Sequence, residues 1–315
     1  MVESRQSLNP NSHDGETYLS RFLKITPIDF PVQNPINLTT YVNGVDIKLH
    51  TVEYPNEGEL KGVIFVFLGY GAFQDFYGGY FKDIAKAGFR IFGFDRHGFG
   101  RSEGARGETG PDPMGDQWRF VDSIVEHFKL QDAKKFIFGI SLGGLLGMRM
   151  MQMRPDYFCG AMLNMPWFDM PENKQFGFFK RFGLKIASKL FKNRTIPMPS
   201  NGQEYDEFLA HMVKDPRFTG FIQYHMAEFA LTMQDEMNAN LEHIPNVPFF
   251  IAMAETDLNV SNTRIREIAA MLKNPKNKTI TYENAVHALF YQDGFYQKVM
   301  KDACDWLIDV NEMMT

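Results

Sequence analysis

Six short apolar runs, with helix-patterned stretches between most of them, constrain what this chain can fold into more than any other feature. The run GVIFVFL at 62–68 is continuous rather than alternating, as expected of a strand buried on both faces. Comparable runs stand at 89–94, 135–138, 160–163, 248–253 and 278–282. Helical patterns occupy 81–87, 116–128, 142–153 and 263–272, and a last one follows at 290–310. Strand and helix in alternation mark an α/β fold, a mostly parallel central sheet with crossover helices on its flanks. Ahead of it, 38–54 alternates apolar and polar residues around Asn43-Gly44, which predicts a hairpin at the start of two antiparallel strands.

One stretch breaks the rhythm. Between 166 and 240 there is no buried-strand run, only helix and loop patterns. The reading is therefore one α/β core, residues 36–165 and 241–315, carrying an inserted helical cap at 166–240. The first 35 residues hold Asn, Pro and Ser without a sustained period and read as an N-terminal arm. A chain of 315 residues is long enough for such a core with an insertion.

Within this frame two Gly-x-Ser-x-Gly patterns compete, centred on Ser102 and Ser141. The pattern places a serine on a sharp strand-to-helix turn, and only one of the two has the strand and the helix. Ser141 follows the apolar run KKFIF and precedes an apolar helix pattern ended by Pro155. After Ser102 come glycines and prolines that cannot continue a helix, so Ser102 reads as part of a surface turn.

A serine hydroxyl becomes nucleophilic when an imidazole takes its proton and an acid holds that imidazole in the right tautomer. Of the eight histidines, His287 alone follows a late strand pattern, KTITY, across a short loop and precedes the last helix. The best-placed acid is Asp257, just past the strand pattern PFFIAMA, with Glu255 and Asp169 as alternatives. Acyl transfer also needs two donors for the developing oxyanion. The amide after the nucleophile, Leu142, and that of Tyr70, between two glycines beyond 62–68, are the candidates.

These residues resemble the monoacylglycerol lipase and lysophospholipase family of α/β-hydrolases. The resemblance covers most of 60–310 and rests on GFDRHGFGRSEGARG near Asp95, FGISLGGLLGMR around Ser141, KDPRF at Lys214, IPNVPFFIAMAETDLNV and YENAVHAL around His287. It implies a capped α/β-hydrolase fold, a Ser141, Asp257 and His287 triad, no cofactor or metal, and an acyl-glycerol or lysolipid ester as substrate. Two positions depart from the family: Leu68-Gly69 stands where His-Gly is usual, and Ile140 precedes the serine where histidine is common. The segment AFQDFYGGYF is also longer and more aromatic than the family's counterpart.

Composition narrows the partners. A net charge of −5 supplies no basic field for nucleic acid, and Cys159 and Cys304 lack the spacing of a zinc site or a disulfide framework. No uninterrupted apolar run approaches the ~20 residues of a membrane span, and the first residues carry no apolar targeting core, so the expected location is cytoplasmic. Thirty phenylalanines and 19 methionines suit an irregular apolar pocket as well as a core. The cap carries no acid between Asn173 and Gln203. A helical wheel over 176–192 gathers Phe179, Phe182, Ile186 and Leu190 on one face and Arg181, Lys185, Lys189 and Lys192 on the other. Two readings of that helix stand: it packs its apolar face over the active site, or it lays that face on an anionic lipid surface as a peripheral membrane contact. For the whole chain, a peptidase or thioesterase on the same triad and a non-catalytic binder of hydrophobic ligands are the competing functions.

Overall fold

The computed structural model describes residues 32–175, 177–191, 193–198, 203–292 and 294–313, without the side chains of 178, 179, 203 and 204. Most of the expected N-terminal arm, 1–31, lies outside the described residues. The chain opens with β1 (Val32–Gln33), β2 (Leu38–Val42), β3 (Val45–Leu49), β4 (Thr51–Tyr54) and β5 (Gly62–Phe67). Strand and helix then alternate through α1 (Lys82–Lys86), β6 (Phe89–Phe94), α2 (Pro113–His127), β7 (Lys135–Ile140), α3 (Leu142–Met153) and β8 (Gly160–Asn164). The next segment holds α4 (Phe178–Leu190), β9 (Thr195–Pro197), α5 (Gln203–Met212), β10 (Phe221–Gln223) and α6 (Tyr224–Ala239). The sheet resumes with β11 (Phe249–Thr256), α7 (Asn262–Met271), β12 (Lys278–Val286) and α8 (Phe295–Met313).

Eight strands form one sheet in the order β1-β4-β6-β5-β7-β8-β11-β12. Every pair from β6 to β12 is parallel, while β4 and β1 close the opposite edge antiparallel. The six apolar runs of the sequence are the six parallel strands, the α/β-hydrolase architecture the sequence implies. The Asn43-Gly44 hairpin forms as β2 and β3, with both turn residues at positive φ, and it stands apart from the main sheet.

Burial on both faces follows from period two. In β5, Ile64 and Val66 enter one hydrophobic cluster, whereas Val63, Phe65 and Phe67 enter the other. The first cluster is closed by α1 and α8 through Ile84, Val299, Ala303 and Leu307. The second is closed by α2, α3 and α7 through Phe120, Val121, Leu145, Leu146 and Ile265. Helix α2 starts three residues before its sequence-read position because Asp112 accepts from the Gly115 amide (2.9 Å) and Pro113 fills the first turn. Residues 166–240 give no strand to the main sheet but form a two-stranded ribbon, β9 with β10, that the sequence reading missed. Strands of three residues are too short to show a period.

Candidate active site

The turn from β7 into α3 holds Ser141 at φ 50° and ψ −116°, a backbone conformation that a non-glycine residue adopts only when its surroundings impose it. Those surroundings are visible. The Ser141 amide donates to the Asn164 carbonyl at the end of β8 (2.9 Å), and its own carbonyl accepts from Gly144 (2.9 Å) and Trp167 (3.0 Å). The turn is tight enough that a Cβ on Gly143 would overlap the Phe67 carbonyl. The hydroxyl caps nothing in its own helix and is left to face another partner.

That partner is His287, in the loop after β12. Its Nε2 lies 2.9 Å from Ser141 Oγ, and its Nδ1 lies 2.8 Å from Asp257 Oδ2. A carboxylate only accepts, so Nδ1 donates to it and Nε2 is left to take the serine proton. Asp257 directly follows β11, and its second oxygen accepts from the amides of Asn259 (2.8 Å) and Val260 (3.0 Å). With its side chain wholly buried and that of His287 only 11 % exposed, the line Asp257, His287, Ser141 works in a low-dielectric setting.

The other candidates go elsewhere. Glu255 accepts from the Asn284 amide on β12 (2.8 Å). Asp169 accepts from Met170 (2.7 Å) and from Gln175 (3.1 Å) and orders its own turn. Ser102 sits in a turn as expected, but the turn is not superficial: its hydroxyl is buried, donating to the Asp95 carbonyl and accepting from the His50 amide (2.8 Å). Ser102 is buried because the loop from 95 folds back against the end of β3 and His50 beyond it instead of turning outward.

The segments that carry the expected oxyanion donors lie beside Ser141. Gly69 runs beside it, so that a Cβ there would stand 3.4 Å from Ser141 Cβ, and Leu142 begins α3. Among the described residues neither the Tyr70 nor the Leu142 amide donates to a protein acceptor. The Tyr70 hydroxyl, by contrast, is spent on the Phe221 carbonyl (2.7 Å), and burial raises its pKa, so it stays a donor.

Ser141 and His287 open into a cavity of about 330 Å³, within the range of small-molecule sites. Its lining combines aromatic side chains, Tyr77, Tyr205, Phe208, Phe218 and Tyr291 among them, with aliphatic ones such as Met170, Ile196, Met198, Met226 and Leu231. Tyr77 and Tyr291 share a hydroxyl–hydroxyl bond, and Phe208 stacks on Tyr291 at 3.9 Å. Lys174 is the one charged side chain besides the triad in that lining, which holds no carboxylate among the described residues. Next to Phe218, Arg217 bolts the lining to the segment after β5, bonded to both Asp215 and buried Asp75 (2.7 and 3.1 Å). Burial alone would raise the Asp75 carboxyl, but the His50 ring beside it at 3.6 Å and the hydrogen bond from Arg101 outweigh it and hold it down at about 2. These tyrosines and this bolt were invisible in the sequence because each joins segments far apart in it.

Helix α4 departs from one of its two readings. Its buried face is made of Leu184, Ala187 and Ser188, with Arg181 held by Asp235 of α6, while Phe182, Ile186 and Leu190 are 56, 46 and 70 % exposed. These apolar side chains therefore do not roof the active site. With Leu184, Ala187 and Ser188 turned inward and Arg181 paired across to α6, these side chains face outward, beside exposed Lys180, Lys185 and Lys189. The Phe179 side chain and Lys192 lie outside the described residues. No described helix is long and apolar enough to cross a membrane.

A family model described as serine aminopeptidase, S33 (Hydrolase_4) matches residues 58–293. No curated protein matches the chain in sequence. Among solved structures, the chain is similar to a monoacylglycerol lipase of Paleococcus ferrophilus (21 % identity, 83 % of this chain and 99 % of that one, TM-score 0.71). It is also similar to a soluble variant of the monoglyceride lipase of Saccharomyces cerevisiae in complex with a substrate analogue (16 %, 90 % and 98 %, 0.73). A third is a thermostable carboxyl esterase of Bacillus coagulans in complex with glycerol (15 %, 88 % and 98 %, 0.72). At these identities the likeness carries the fold and assigns no residue a role.

Proposed function

Because this chain belongs to the serine aminopeptidase S33 (Hydrolase_4) family of α/β-hydrolases, we propose that it is a serine hydrolase cleaving carboxylic esters of lipid-like substrates, of the monoacylglycerol or lysophospholipid type. One observation carries the reading: the hydrogen-bonded line from Asp257 through His287 to Ser141 ends at the wall of an apolar cavity. In this mechanism Ser141 Oγ attacks the ester carbonyl carbon as His287 Nε2 takes its proton. Asp257 keeps Nδ1 protonated and stabilises the imidazolium. The carbonyl oxygen, now an oxyanion, is held by the amides of Tyr70 and Leu142. Collapse expels the alcohol, which leaves with the proton from His287, and the acyl group stays on Ser141. Water, deprotonated by His287, then attacks the acyl-enzyme, and the carboxylic acid departs as Ser141 recovers its proton. Residues 166–240 act as the cap that builds the aliphatic part of the lining and some of the aromatic part.

The family description also raises peptide substrates. An aminopeptidase must hold a cationic α-amino group, for which a carboxylate is the natural partner. Among the described residues the cavity offers Lys174 and no carboxylate, which supports the ester reading over the peptide one. A panel of monoacylglycerols, lysophospholipids, short esters, thioesters and aminoacyl amides, each run against Ser141→Ala, tests it. Ester turnover falling by roughly a million-fold in the variant is expected. Ester hydrolysis retained by Ser141→Ala, or aminoacyl amides preferred by the unmodified chain, refutes it.

Helix α4 supports a second element of this reading, peripheral contact of the cap with an anionic lipid surface. Seven cations and no acid lie between Asn173 and Gln203, and the outward face pairs Phe182, Ile186 and Leu190 with lysines. Each lysine near such a surface contributes about 1 kcal/mol of attraction. Co-sedimentation with phosphatidylglycerol vesicles, lost in Phe182→Ser/Ile186→Ser/Leu190→Ser while a soluble short ester is still hydrolysed, is the expected result. Absence of vesicle binding by the unmodified chain removes this element and leaves the esterase reading intact.

A further inference from the structure

We propose that Arg96 is a positioning residue for catalysis, fixing the direction in which the Tyr70 amide points by gripping the carbonyl on the other side of the same peptide unit. The inference rests on the reading of Tyr70 as an oxyanion donor. The guanidinium donates from Nη1 to the Leu68 carbonyl (2.9 Å) and from Nη2 to the Gly69 carbonyl (2.8 Å). Gly69 C=O and Tyr70 N–H belong to one planar peptide, and the chain has no cis peptide among the described residues, so the two bonds point in opposite directions. Holding the oxygen at one end therefore aims the hydrogen at the other. The bond to the Leu68 carbonyl fixes the preceding peptide as well, and a loop between two glycines is left without a free hinge at its critical unit.

Three features make this grip more than incidental. Leu68 has no polar side chain of its own to hold the loop, which passes within van der Waals reach of Ser141. Arg96 makes no ion pair among the described residues, because the neighbouring Asp95 carboxylate is occupied by the amides of Gln74 (2.7 Å) and Arg101 (2.9 Å). Its charge is thus delivered to the two carbonyls, and a cation on a peptide oxygen polarises the peptide and strengthens its N–H as a donor. Finally, the guanidinium is itself fixed, 5.1 Å over the Phe99 ring, whose other contact is the Tyr70 ring edge-on at 5.4 Å. Burial lowers the Arg96 pKa to about 10, which still leaves it charged at neutral pH.

The test compares Arg96→Met and Arg96→Lys with the unmodified chain on p-nitrophenyl butyrate. An alkyl trifluoromethyl ketone serves as transition-state mimic, and the carboxamide of the same chain length as ground-state ligand. Loss of aim at one oxyanion donor predicts kcat lower by roughly 10- to 1,000-fold in Arg96→Met, with KM and carboxamide affinity within about threefold. Ketone affinity should fall in step with kcat. Lysine carries the charge but lacks the planar fork, so Arg96→Lys should recover part of the loss. If Arg96→Met does not fold, Arg96→Lys alone carries the comparison and still shows a kcat loss at constant KM. Full kcat in the variants overturns the inference, as does a parallel fall of kcat, carboxamide affinity and melting temperature. If the unmodified chain neither turns over the ester nor labels at Ser141 with a fluorophosphonate, the esterase reading itself fails and takes this inference with it. Active wild type with indifferent variants sinks the role of Arg96 alone.

Discussion

Gly139→Ala perturbs the seam on which the nucleophile rests. Gly139 lies in β7 two residues before Ser141, and an added Cβ would sit 2.8 Å from both the Gly143 carbonyl oxygen and the Gly144 Cα. Both obstacles are backbone in the first turn of α3, so no side chain can swing aside. An ordinary contact begins near 3.4 Å, and the strand and the helix start must therefore part by about 0.6 Å. That motion carries the Leu142 amide and Ser141 away from His287, whose bond to the hydroxyl is now 2.9 Å. A misplacement of 1 Å costs roughly 100-fold, so a shift of this size should cost roughly tenfold in acylation, together with about 1–3 kcal/mol of overpacking in stability. Second-order labelling of Ser141 by a fluorophosphonate measures the first, and urea unfolding the second. Gly143→Ala is the graded companion: its Cβ would overlap the Phe67 carbonyl, and it should lose labelling far more severely. Labelling of Gly139→Ala within threefold of the unmodified rate, at undiminished stability, refutes the idea that the elbow's glycines set the nucleophile's position.

Three further outcomes follow from the same geometry. Asp257→Asn keeps the size of the side chain but presents an amide to His287 Nδ1, favouring the wrong tautomer; kcat on esters should fall by about 10⁴-fold, and a drop under tenfold contradicts the orienting role. Burial pushes the Asp95 carboxyl up to about 6 from its ordinary 3.8, against the backbone amides that favour its charge. Its neutral form is favoured by folding, so that contribution is present below about pH 4 and lost as pH rises through 6. Unfolding free energies of the unmodified chain and Asp95→Asn, from urea titrations, should accordingly diverge by on the order of 3 kcal/mol between pH 4 and 7.5, in favour of the variant at the higher pH, and a pH-independent difference counts against it. Asp75→Asn removes the buried carboxylate that holds Arg101 and Arg217, and should destabilise by about 3–5 kcal/mol, read by thermal melting; a loss below 1 kcal/mol means the bolt is idle.

The sequence by itself determined the sheet and the order along it of the proposed site residues. Continuous apolar runs report burial on both faces, and a parallel sheet is the arrangement that buries them, so the bounds of β6 and the start of α3 could be read from the chain alone. The choice of Ser141 over Ser102 was equally legible, because a strand before and a helix after are local facts. The proposed acid could not be chosen locally: Glu255 and Asp257 are two residues apart, and what separates them is that β12 brings the Asn284 amide to one while the loop after it brings His287 to the other. The outward face of α4 is a further case. Periodicity showed that its apolar residues share a side, but which side meets solvent was decided by its packing against α6, where Leu184, Ala187 and Ser188 turn inward and Arg181 reaches Asp235. Arg96 gave no sequence signal at all, since its partners are carbonyls 27 and 28 residues earlier, and every residue has a carbonyl. Local pattern records how each element shares its surface between core and water; which atoms meet across the fold depends on the register and rotation of elements that only their packing together fixes.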